Sequence, residues 1–182
     1  MIQAADFYKK LVQRTKGVFK ETYGDNPVWT AQMKFLITQV IKEAKLDIEI
    51  SHEYYRIDCI GWIQRKGEIR EQCEIVKLNP HFWDLDVAVE YEKNSMEWLD
   101  EVCKLSYIRC PLRVVIGYGL ENTEEKIALA KAILEKTNAI TDNEQEFQII
   151  LGRHANEFQE GAPNPCGFQS WVITKSEVKK IS

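Results

Sequence analysis

Asp86-Val87-Ala88-Val89-Glu90-Tyr91-Glu92 is the stretch whose reading decides the fold. Side chains alternate along a strand, so Val87, Val89 and Tyr91 take one face while Glu90 and Glu92 share the other. Two carboxylates side by side on a strand of a buried sheet repel one another and lose hydration. A cation or a proton has to compensate.

Upstream, residues 54–64 also alternate, with Tyr55, Ile57, Cys59 and Ile63 on one face and Arg56, Asp58, Ile60 and Trp62 on the other. Lys66-Gly67-Glu68 reads as a hairpin turn into a second antiparallel strand at 69–78, which Asn79-Pro80 ends. Residues 47–50 are short and β-like. Before them Trp29, Met33, Leu36, Ile37, Val40 and Ile41 recur at helical spacing, with Asn26-Pro27 as N-cap and first helical position. Residues 3–20 form an amphipathic helix with Phe7, Leu11 and Val18 on its apolar side.

Downstream, Asn94 with Glu97 resembles a capping box before a helix carrying Trp98, Val102 and Leu105. Residues 112–118 are a continuous apolar run, expected of a strand covered on both faces. A helix follows at about 123–137, then strands at 147–151 and 169–174 around the loop 161–165. An antiparallel meander followed by β-α-β crossovers implies one mixed sheet with helices on both faces. The chain reads as a single α/β domain over 1–182. It comprises an N-terminal helical arm (1–25), a core (26–118) and a C-terminal helix with strands (119–182).

The 182 residues suit one domain, and 45% hydrophobic content supplies a core. No apolar run is long enough to span a membrane, and charges throughout residues 1–20 argue against a secretory signal, so a cytoplasmic location is expected. Five cysteines without a C-x-x-C pair, and three scattered histidines, give no zinc-ligand spacing. Net charge is −4, unlike the usual basic nucleic-acid binder. The distribution is uneven, however. Lys9, Lys10, Arg14, Lys16 and Lys20 crowd the first helix, whereas acidic residues dominate 84–101. Phosphate-loop, dinucleotide-binding and serine-hydrolase glycine motifs are all missing from the sequence.

If the strands bearing Asp58 and Glu90 are neighbours in register, Asp58, Glu90 and Glu92 converge. Such an oxygen-only set suits Mg²⁺ or Mn²⁺, which polarises a phosphodiester and acidifies an attacking water. The bland alternative caps Asp58 or pairs it with Arg56 and leaves Glu90 and Glu92 on a wet sheet face. Lys93 points away from the acidic face unless a bulge or the strand's end returns it. Lys104, on the next helix, is either a lysine for the acidic site or, as its plainer role, the partner of Asp100 one turn earlier, and the pair with Asp100 is the expectation. Glu43 is either a further ligand or simply exposed.

The runs 55–61 and 87–94, with the helix from Trp98 to Leu105, resemble the core of the PD-(D/E)xK nuclease superfamily. That resemblance covers roughly half the chain. It implies a restriction-endonuclease-like α-β-β-β-α-β core, with Asp58 at the first motif position and Glu90 at the second. Its usual lysine seat holds Glu92 here, an E-x-E variant that some restriction endonucleases carry. Lys93 is then the nearest stand-in. The function so implied is Mg²⁺- or Mn²⁺-dependent hydrolysis of DNA, in which the basic first helix touches phosphates; oligomeric state is left open, though a homodimer would make a two-strand cut easier to explain. The alternatives are an inactive interaction module of the same fold, or an unrelated α/β domain with surface carboxylates.

Overall fold

The structure, a computed structural model, describes residues 1–17, 23–64, 75–77, 83–142 and 144–181. Among them are four helices and one seven-stranded mixed sheet. Helix α1 (Ala4–Arg14) buries Ala4, Phe7 and Leu11, a stripe at helical spacing. Helix α2 (Asn26–Ala44) buries Trp29, Met33, Leu36, Ile37, Val40 and Ile41. Its N-cap is Asp25, one residue before the expected Asn26. The Asp25 carboxylate accepts the Val28 N–H at 3.2 Å.

The strands β1 (Glu49–Tyr54), β2 (Ile57–Gln64) and β3 (Trp83–Tyr91) form an antiparallel run. Helix α3 (Trp98–Ser106) then crosses to β4 (Leu112–Tyr118), parallel to β3. Helix α4 (Thr123–Lys136) crosses to the parallel β5 (Glu146–Gly152), and β6 (Gln169–Ile173) and β7 (Val178–Ile181) return antiparallel. Strand order across the sheet equals chain order. β4 is buried at every residue, as its unbroken apolar run implies.

The core order differs from the expected one. Of the strand assigned to 69–78, residues 75–77 form a helical turn. Its remaining residues, and the turn at 66–68, lie outside the described residues. The outer neighbour of β2 is instead β1, reached through the two-residue turn Tyr55–Arg56. β1 is an edge strand with no fully buried residue, so only its start, Glu49 and Ile50, fell within the stretch expected to be β-like. The same reason hid β7, whose Val-Lys-Lys-Ile is mostly exposed.

Each sheet face carries its own core. Phe7, Leu11, Trp29, Ile37, Val89 and Ile116 lie in the core on the α1–α2 side. Ile60, Ala88, Trp98, Leu105, Val115 and Ile149 lie in the core on the α3–α4 side. The first helix therefore contributes Ala4, Phe7 and Leu11 to the core. On the other face, α3 is brought close to the sheet at one point. A Cβ on Gly117 would meet Trp98 at 2.9 Å, so only glycine lets the buried Trp98 ring settle on β4. In the β1–β2 turn, Tyr55 (φ 49°) and Arg56 (φ 65°) are both left-handed. Such a turn ordinarily takes Asn-Gly, and a bulky residue there costs about 1–2 kcal/mol.

Candidate functional site

Where β2 meets β3, Cys59 pairs with Val89 and Ile60 with Ala88. One step further, past the end of the regular ladder, Asp58 comes opposite Glu90. Side chains take over the backbone's role at this point. The Tyr91 N–H donates to Asp58 Oδ2 at 2.9 Å, and the Asp58 N–H donates to Glu90 Oε2 at 3.4 Å. The two carboxylates are thus fixed against each other by main-chain amides on rigid strands, on the sheet face that α3 covers.

Helix α3 adds the third group. Lys104 Nζ lies 2.8 Å from Glu90 Oε1 and 2.6 Å from Glu101 Oε2, and donates to the Arg56 carbonyl at 2.9 Å. Its expected partner, Asp100, is not among these contacts. The difference has a geometric cause. A helix that crosses between parallel strands runs back against them, so advancing along α3 returns over the C-terminal end of β3, where Glu90 lies. The helix also starts at Trp98, so Lys104 lies about 9 Å along it at 1.5 Å per residue. A lysine two turns into a crossover helix is a signal the sequence contained, and topology gives it its target.

Glu90 is 1% exposed and Asp58 half-buried. Burial pushes the Glu90 carboxyl up to about 9, with Lys104 opposing and Asp58 and Glu101 adding to the rise. Burial raises Asp58 as well, against the hydrogen bond from Tyr91. For Lys104, burial disfavours the ammonium, but Glu101 and Glu90 outweigh it and raise its pKa. Three carboxylates therefore share one ammonium.

The remaining expected site residues go elsewhere. β3 ends at Tyr91, so strand alternation no longer places Glu92 beside Glu90. The Glu92 N–H joins Ile116 O at 2.8 Å, and its carboxylate accepts the Asn94 N–H at 2.6 Å. Lys93 turns to the α2 side, where it donates to Tyr23 O and Asn26 Oδ1 and lies 4.5 Å from the centre of the Tyr23 ring. Glu43 pairs with Arg14 on the surface.

No group of three or more acidic, histidine or cysteine side chains able to hold a metal occurs among the described residues. Mg²⁺ does not need one. It commonly takes one or two carboxylates and fills its remaining positions with water and substrate phosphate. Asp58 and Glu90 fit that smaller demand as hard oxygen donors on facing strands. None of the helices among the described residues is long and apolar enough to cross a membrane. No family model matches this chain, and no curated protein matches its sequence.

Proposed function

We propose that this chain is a metal-dependent phosphodiesterase of the nuclease type, acting on DNA, with Asp58, Glu90 and Lys104 as its working residues. The observation that carries the reading is the approach of Lys104 Nζ to 2.8 Å from Glu90 Oε1, beside Asp58. An acid pair plus a lysine is the set the PD-(D/E)xK resemblance asks for, with the lysine supplied by a helix instead of the strand. The antiparallel run β1–β3 followed by α3 and the parallel β4 supports a restriction-endonuclease-like core.

In this reading Asp58 and Glu90 hold Mg²⁺ or Mn²⁺. When bound, the metal polarises the phosphodiester and lowers the pKa of an attacking water. Lys104 orients the nucleophile and offsets charge that develops on the scissile phosphate as the P–O bond to the leaving sugar oxygen breaks. Its ammonium is held on two sides by Glu90 and Glu101, so it enters the site already positioned. The Tyr91 amide keeps Asp58 from turning away.

The near-complete burial of Glu90 favours a second reading, in which the acid–lysine pair is structural and the domain serves as a nucleic-acid or protein interaction module. Incubation of plasmid and single-stranded DNA with Mn²⁺ or Mg²⁺, wild type beside Glu90→Ala, separates the two. The nuclease reading expects cleavage that the substitution abolishes. Wild-type protein inert on both substrates with both metals would favour the module.

A further inference from the structure

We infer that the Tyr55–Arg56 turn is a clamp for an unpaired nucleotide, which makes single-stranded DNA the substrate class of the neighbouring carboxylate site. The inference takes from the phosphodiesterase reading only the place of the scissile bond. Its first support is chemical cost. Both residues occupy the left-handed region, at φ 49° and 65°, and Glu53 just before them does too, at φ 54°. Asn-Gly would fill the two turn positions without strain, yet a tyrosine and an arginine stand there. Backbone strain persists where the side chains it presents have work to do.

The second support is presentation. Tyr55 is 82% exposed, large and apolar, at the tip of a hairpin. It is also braced: the Tyr54 ring meets it edge to face, with centroids 4.6 Å apart. A fixed, open aromatic face is what a base stacks on, and only an unpaired base offers its own face in return. Arg56, also exposed, brings a guanidinium suited to a phosphate. Third, the turn is anchored to the site. The Arg56 carbonyl accepts from Lys104 Nζ at 2.9 Å, and Asp58 follows two residues on. A base stacked on Tyr55 would therefore sit on the same turn that Lys104 ties to the carboxylate pair.

The test replaces the turn with the residues its backbone prefers, Tyr55→Asn with Arg56→Gly. Thermal melting should show this variant at least as stable as the wild type, so a loss of binding is not a loss of fold. Fluorescence anisotropy with labelled oligothymidylate, in Ca²⁺ to prevent turnover, should show affinity weakened on the order of tenfold or more. Any cleavage should show the same loss in KM rather than kcat. The clamp is overturned if the wild type fails to bind oligothymidylate, binds duplex more tightly, or loses nothing on replacement of the turn. Turn-dependent binding by a protein that never cleaves would keep the clamp and defeat the nuclease reading. Cleavage with unchanged KM in the variant would do the reverse.

Discussion

Strand β3 carries two buried carboxylates four residues apart, and the protein treats them in opposite ways. Asp86 is 7% exposed and receives the Ile2 N–H at 3.2 Å, Lys45 Nζ at 3.0 Å and the N-terminal ammonium at 3.8 Å. A lysine and a main-chain N–H attend this acid. Glu90 is still more deeply buried, yet it shares the single ammonium of Lys104 with Glu101 and faces Asp58. The first arrangement is complete without any ligand, so it fastens the chain's start and the end of α2 to the sheet. In the second, three carboxylates share one ammonium, and burial holds a proton on Glu90. Buried polarity marks function where the protein's own groups do not neutralise it.

The largest contrast should come from removing each acid by its amide. Asp86→Asn should cost roughly 1.5–3 kcal/mol, as for lost hydrogen bonds to a charged group. Glu90→Gln should cost little without metal, and its effect should depend on pH. The folded-state pKa of Glu90 is raised to about 9, so the native protein retains a proton that the unfolded chain gives up near an ordinary carboxylate value. That contribution is fully present below the unfolded pKa and is lost as pH rises toward about 9. Urea titrations in EDTA should show wild-type stability declining across that window and a shallower slope for Glu90→Gln. Equal slopes would place the charge deficit elsewhere.

The smallest effects should fall on two residues the sequence alone put forward. Glu92→Gln lies on a turn hydrogen bond outside the cluster, and a stability change within about 0.5 kcal/mol is expected. Lys93→Ala gives up its contacts to Tyr23 and Asn26, at a cost of about 1 kcal/mol. Both variants should keep whatever cleavage the wild type shows, in initial-rate assays on the same DNA. Activity lost with either would bring these side chains back into the site.

The legible part of this molecule was its interior. Val87–Tyr91 and Leu112–Tyr118 showed their strands because each must match a packed face, and Trp29–Ile41 showed its helix by the same logic. Asp58 and Glu90 were also visible, as carboxylates where burial was expected. The edges were less so: β1 showed only at its start and β7 not at all, since each has one partner strand and little burial and so a weakly constrained pattern. Lys104 was assigned to the wrong partner for another reason. Spacing along α3 suggested Asp100, and only the direction of the crossover brings the lysine over Glu90. Glu92 misled because alternation was extended one residue past the strand's end.

The most direct test of the cation deficit is thermal melting with EDTA and with Mn²⁺, wild type beside Glu90→Gln. A ligand that binds only the native state raises stability by about 4 kcal/mol at a thousandfold excess over its Kd. Mn²⁺ is expected to raise the wild-type Tm and to leave Glu90→Gln nearly unmoved. An equal rise in both proteins, or none in either, would contradict a divalent-metal site at Asp58 and Glu90.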